Sequence, residues 1–480
     1  METRNIFHNI SPIDHRYSIS EKTVFDALVS WLSEEASITA CIKAEIALIK
    51  AHLTMRGSPA EGTALDKAGA KITPEEVYAE EEKTRHNVRA LVNVLKQKLP
   101  PEIAPLVHLG ATSVDILDTS LAFRMKGCCR SVVLPALRKL EILLCDFAER
   151  EAETAQVGRT HGQHAVPITV GFAMAEYVSR LGKSILEIER LAKQLKGKLA
   201  GAVGSYNAAS MLVNDPEELE RLYLAELGLE PSEHSTQLVE PEYLLRLLLE
   251  YNTAFGIIAN LADDLRNLQR TEIAELRENF TADQVGSSTM PQKRNPWNSE
   301  HVKSLWKTFM PRALTFYMDQ ISEHQRDLSN SASQRFIADY VTGFCLAVNR
   351  LTTVMEGLTA DRERCLSNLH SGGGAVLAEP AYILLAEAGL SDAHEVIRKI
   401  TLAAEEKGLS FADALAAEKE IQKRIGEQLV TLGLTGKTDP VQAAEMFFSK
   451  SENYQGLAVK KAKELSAKYR KLMMERNNVI

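Results

Sequence analysis

The segment GSSTMPQKRNP, residues 286–296, sets two adjacent serines and a threonine between a glycine and a proline, with a lysine and an arginine close behind. It cannot be regular structure, because Pro291 has no amide donor and the pair Asn295-Pro296 stops a helix. A serine hydroxyl is a poor base at its ordinary pKa and becomes one only beside positive charge and away from water. Lys293 and Arg294 supply the charge, and Gly286 leaves backbone N–H groups approachable. The flanking glycine and proline allow the loop to close over a ligand. Ser287 and Ser288 are equal candidates for the base on this reading. An arbitrary serine-rich loop is more often a phosphate site or plain solvated surface, so the loop alone decides nothing.

Other residues add to the chemistry. His161 and His164 stand three apart in RTHGQHA; an imidazole exchanges protons near neutral pH and suits a general acid. Without further ligands at metal spacing the pair is not read as a metal site, and a structural role suits His164 equally well. Arginines suit anionic ligands through their bidentate forks. Any one of them, taken singly, is more often a solvated or salt-bridged helix residue.

These groups sit in a chain of 480 residues, 45% hydrophobic, with a formal net charge of −8. That length exceeds what one core covers, so two or three units are expected. The acidic balance argues against nucleic acid as a partner, but not against a small anion held locally. Six cysteines without a CxxC pair read as free thiols. No run is apolar enough for a membrane span, and the N-terminal residues show no signal core; a cytoplasmic protein is expected.

Helical composition dominates, with continuous helices expected over Lys22–Ala51, Val132–Ala155, Ile168–Lys198, Glu242–Glu278 and Glu300–Glu323. The fourth would span about 55 Å at about 1.5 Å per residue, too long for a small globular unit. No convincing alternating strand pattern stands out. The expected division is an N-terminal helical domain (1–112), a central long-helix bundle carrying the serine loop (113–366) and a C-terminal helical domain (367–480). Long helices of this kind usually carry more apolar surface than one chain covers, so an oligomer is expected.

GSSTMPQKRNP closely resembles the signature of the fumarase/aspartase superfamily, whose members break a C–N or C–O bond and release fumarate. SPIDHRYS (11–18), TRHNVRAL (84–91), HLGATSVD (108–115), GRTHGQHAVPIT (158–169), STQLVEPEY (235–243) and HQRDLSNSASQR (324–335) follow in order. Together they are similar to the adenylosuccinate lyase branch of that superfamily. The resemblance implies an all-α, three-domain protomer, a homotetramer with active sites assembled from three subunits, and no cofactor. It implies cleavage of adenylosuccinate to AMP and of SAICAR to AICAR, each releasing fumarate.

Carried over residue by residue, the resemblance makes Ser287 the base and His161 the acid that protonates the leaving nitrogen. Glu300 would pair with that histidine across a subunit boundary. Lys293 and Asn295 would hold the succinyl carboxylate as it becomes an aci-carboxylate, where fixed donors matter most. Arg16, Tyr17, Arg85, His86, Thr112, Ser113, Gln237, Arg326, Ser331 and Arg335 match substrate contacts, and His108 matches a histidine near the phosphate. The chain departs from the pattern at Asn87, where the family usually has aspartate, and at His301, a position that some relatives fill with arginine or methionine. Rival readings are another lyase or cycloisomerase of the superfamily, such as argininosuccinate lyase, and a structural protein like the crystallin relative; retention of Ser287, His161, Lys293 and Glu300 counts against the latter.

Overall fold

The computed structural model describes residues 5–58, 62–280, 286–326 and 329–477. These are helices joined by turns, with three two-stranded sheets as the extended structure among the described residues. The chain forms two compact units, each assembled from three segments. The first comprises Met1–Arg138, Lys183–Ala259 and His301–Arg350; the second comprises Lys139–Gly182, Asn260–Glu300 and Leu351–Ile480.

The expected helices are present but shorter, and each break has a local cause. Lys22–Leu32 stops at Ser33, whose extended backbone lets its hydroxyl accept from the Ala36 amide at 3.1 Å and start Glu34–Met55. Glu34 and Glu35 then sit in the first turn, where a helix favours negative charge. The helix expected over Glu300–Glu323 is instead Trp297–Phe309 followed by Arg312–Met318, because Pro311 cannot continue the first helix. Leu134–Arg150 and Val170–Lys193 flank an antiparallel hairpin, Ala155–Thr160 with Gln163–Thr169, that the sequence reading did not anticipate.

The helix expected over Glu242–Glu278 ends at Leu268 and spans about 40 Å. Its expected last turns are a reversal in which Ala274 takes a φ of 51° and turns Glu275 inward. Glu275 is fully buried and receives Gln156 at 2.7 Å, Asn368 at 2.8 Å and Arg159 at 2.6 Å. A surface acid in a continuing helix has been exchanged for a buried, fully paired one.

In the first unit the core includes Leu48, Ile49, Leu95 and Ile116. Phe344 stacks on Tyr251 and meets Phe255 edge-on, each with centroids 5.4 Å apart. Each such side chain stabilises the fold by roughly 1.5–3 kcal/mol when fully buried. In the second unit the helices from Ala378 to Phe448 close over their own core, built on Leu385, Phe411, Ile425, Leu429 and Phe448.

Candidate active site

Nine of the expected substrate residues line one cleft of about 980 Å³ in the first unit: Arg85, His86, Asn87, Thr112, Ser113, Gln237, Arg326, Ser331 and Arg335. Capping chemistry positions most of them. Thr73 and Glu76 form a reciprocal capping box at the start of Pro74–Thr84, and that helix ends on Arg85 with a φ of 52°. His86 then caps the next helix, Asn87–Lys98, accepting the Arg89 amide on Nδ1 at 3.3 Å. Nδ1 is therefore unprotonated there. Asn87 is occupied locally, taking the Val88 amide at 2.8 Å.

Thr112 and Ser113 open the helix Ser113–Cys128 through a second capping box, in which Asp115 accepts the Thr112 amide at 2.8 Å. Asp115 is fully buried and also pairs with Lys198 and accepts the amides of Ala200 and Gly201, both at 3.2 Å. Gln237 ties the cleft together: its amide nitrogen donates to the Thr112 hydroxyl at 3.4 Å, and its oxygen accepts from Arg326 at 3.3 Å. One turn along the same helix, Asp118 receives the Val239 amide at 3.1 Å, and burial pushes its carboxyl up to about 6.

Three other expected residues of the first unit stand outside the cleft lining. Arg16 and Tyr17 close the turn Ile13–Tyr17, and the Tyr17 hydroxyl meets His301 Nε2 at 2.9 Å. The departure at His301 thus has a partner among the expected substrate contacts. Burial, then Arg350 and Arg16, lower the His301 pKa and favour the neutral ring. His108 has a φ of 61°; Glu45 accepts its backbone amide at 2.9 Å and meets Nδ1 at 2.7 Å.

The expected acid and base belong to the second unit. His161 occupies the hairpin tip, with Thr160 paired to Gln163 across it. His161 and Gly162 both have positive φ, 55° and 74°, the pattern of a type I′ turn. The ring is exposed and forms no side-chain hydrogen bond or ion pair among the described residues. Arg159 anchors the hairpin through Glu275, and His164 lies opposite Arg159 on the other strand. No group of three His, Cys, Asp or Glu side chains able to hold a metal occurs among the described residues.

In the loop, Ser287 and Ser288 have different surroundings. Ser287 is half-buried, and its hydroxyl accepts the amides of Met290 at 3.1 Å and Thr289 at 3.4 Å. Two inward N–H groups favour negative charge on that oxygen. Ser288 is exposed. Asn295 donates to the Gly286 carbonyl at 2.9 Å and closes the loop on itself, while Arg294 covers the Phe280 ring. Lys293 is exposed, as is Glu300 on the first turn of Trp297–Phe309. Residues 283–285, just before the loop, lie outside the described residues.

Sequence reasoning missed Glu45, Asp115, Lys198 and Glu275, buried charges that hold elements carrying the expected residues of each unit. Asp115 carried a signal, since threonine with an acid three residues on is a capping pattern. Glu45 carried another, as an acid within a largely apolar helical run.

Residues 30–307 match the lyase family, and residues 322–436 match the adenylosuccinate lyase C-terminal family. The adenylosuccinate lyase of Pyrococcus abyssi is 32% identical over 428 residues, covering 87% of this chain and 92% of the relative. That of Pyrococcus horikoshii is 33% identical over 429 residues, with the same two coverages. Among solved structures, a fumarate lyase from Mesorhizobium sp. BNC1 superposes with a TM-score of 0.78 at 19% identity, over 92% of this chain and 97% of that one, a likeness of fold. Family match, identity and coverage agree: the chain belongs to the adenylosuccinate lyase family of the fumarase/aspartase superfamily.

Proposed function

We propose that the protein cleaves adenylosuccinate to AMP and SAICAR to AICAR, releasing fumarate from each by β-elimination. The observation that carries this reading is that nine expected residues from four separated stretches line one cleft, three of them arginines and several with hydroxyls, suited to a phosphate and carboxylates. Ser287 takes the proton from the carbon beside a carboxylate, helped by the two amides that its oxygen already faces. Lys293 and Asn295 hold the carboxylate while charge accumulates on it, with Asn295 leaving its resting bond to Gly286. His161 gives a proton to the departing nitrogen, oriented by Glu300 of a neighbouring subunit. The working form on this reading is a cytoplasmic homotetramer with shared sites; no helix among the described residues is long and apolar enough to cross a membrane.

Fumarate release from adenylosuccinate, SAICAR and argininosuccinate tests the substrate class. Turnover of the two purines and not of argininosuccinate is the expected result, and the reverse pattern rejects the reading. Ser287→Ala should bind substrate normally and lose most turnover, whereas Ser288→Ala should be milder. A dead Ser288→Ala beside a normal Ser287→Ala would move the base by one residue.

A further inference from the structure

Gln237 reaches the cleft from the apex of a tight turn at 235–239. Ser235 and Val239 bridge across its base. The Thr236 amide donates to the Leu238 carbonyl at 3.1 Å, and the Thr236 hydroxyl accepts the Leu238 amide at 3.2 Å. The turn is joined twice to the stretch that carries Arg326. The Gln237 amide donates to the Gln325 carbonyl at 3.3 Å, and the Gln237 side-chain oxygen accepts from Arg326. It is joined twice to the helix Ser113–Cys128 as well, through the Thr112 hydroxyl at Gln237 and through Asp118 at the Val239 amide.

An asparagine at 118 could accept that amide without any charge. The half-buried carboxylate does so at a cost to the fold, because burial pushes its pKa up to about 6 and the protonated form is favoured below that. Lys198 and Arg326 favour the charge, and Asp115 opposes it. Asp118 also lines a small, largely leucine-walled cavity of about 90 Å³, whose titratable groups are Lys196, Glu240, Tyr243 and Asp319. What the charge adds is a stronger bond to Val239 than a neutral acceptor makes, and a pull on Arg326 towards the turn.

We propose that Asp118 is a positioning residue for the cleft: its carboxylate holds the 235–239 turn against the helix start, so that Gln237 stays between Thr112 and Arg326 and Arg326 is set for an anionic group of the substrate. This rests on the reading that the cleft takes the purine substrate, and the test separates the two. One charge then acts with opposite signs, weakening the fold near neutral pH and strengthening binding. A residue with a merely structural role would not do both.

The test measures KM, kcat and melting temperature with adenylosuccinate for the parent, Asp118→Asn, Asp118→Ala, Gln237→Ala and the double alanine variant. At about pH 8, Asp118→Ala and Gln237→Ala should each raise KM roughly ten-fold, as for one lost hydrogen bond to a charged group. Changes in kcat should stay within about three-fold, since binding and not the chemical step is disturbed. The double variant should be no worse than Gln237→Ala, because Asp118 acts through that side chain. Asp118→Asn should raise KM several-fold at about pH 8, where it makes the fold more stable, and should match the parent at about pH 5, where protonation removes the parent's charge too. The ratio of the two KM values is read, so that titration of the substrate and of other cleft groups cancels.

A KM ratio that does not change with pH, or an effect of Asp118→Ala that simply adds to that of Gln237→Ala, overturns the role of Asp118 while turnover of adenylosuccinate upholds the substrate reading. A parent that turns over neither purine overturns the substrate reading and this proposal with it. Should Asp118→Ala not fold, Asp118→Asn in the Gln237→Ala background replaces it. There the KM ratio should be close to one at every pH, and a persisting pH-dependent ratio overturns the proposal.

Discussion

Asp118, half-buried behind the helix start that carries two cleft residues, shows how one carboxyl makes the stability of the fold depend on pH. It lies one turn beyond Asp115 on the helix that carries Thr112 and Ser113, and its carboxyl is raised to about 6 by burial. The Val239 amide, Lys198 and Arg326 pull it back down, while Asp115 opposes them. A carboxyl whose folded pKa exceeds its unfolded one binds its proton more tightly in the fold. Its contribution is then fully present below the ordinary value of 3.8 and is lost as pH rises towards about 6. At about 1.4 kcal/mol per pH unit, the gap corresponds to roughly 3 kcal/mol. Asp118→Asn keeps an acceptor for Val239 and removes the ionisation. It should therefore be more stable than the parent above pH 6, with the advantage disappearing below about pH 4. Urea unfolding of both proteins across that range checks this, and a gap independent of pH would show that Asp118 titrates normally in the fold.

At the scale of elements, helices were legible and their ends were not. Composition and periodicity pointed to long helices, but Ser33, Pro311 and the reversal after Leu268 depend on which side chain finds a partner, which periodicity cannot report. Glu275 reads as one more surface acid until Arg159, Gln156 and Asn368 are known to face it. The hairpin was missed for a similar reason: two short strands offer few alternations, and the turn is announced only by His161-Gly162, where a histidine stands in place of the asparagine or aspartate that marks a type I′ turn most strongly. The serine loop was legible as a loop, and its internal geometry yields a prediction. A Cβ on Gly286 would stand 2.2 Å from the Lys293 carbonyl oxygen and 2.8 Å from the Phe280 ring. Gly286→Ala must therefore push the Lys293 strand of the loop outward and break the bond from Asn295. Displacement by about an ångström can cost roughly 100-fold in turnover. The expected outcome is that loss in kcat, with AMP inhibition and the melting temperature near the parent's. Unchanged kcat would mean that this loop conformation does not matter to the reaction.

At the scale of the whole molecule, the expected residues separate into groups. The cleft residues belong to one compact unit, while His161, Ser287, Lys293, Asn295 and Glu300 belong to the other and are absent from the cleft lining. His161 and Glu300 are both exposed and lack side-chain partners among the described residues, an uneconomical state for a proposed acid and its carboxylate. Motif resemblance finds these residues one by one; on the shared-site reading proposed above, their assembly depends on more than one chain and is not legible in a single sequence. The tetramer proposed above, with sites drawn from several subunits, would supply partners to both groups. It also makes a sharp prediction. Ser287→Ala and His161→Ala should each be nearly inactive as pure proteins. If the two residues reach one site from different chains, random exchange of equal amounts leaves about a quarter of the sites with both native groups. Activity should then return on mixing, rise with the extent of exchange, and be absent when exchange is blocked by crosslinking each variant beforehand. Hybrids verified by mass that stay inactive would mean that acid and base come from the same chain, and the exposed His161 would need another explanation.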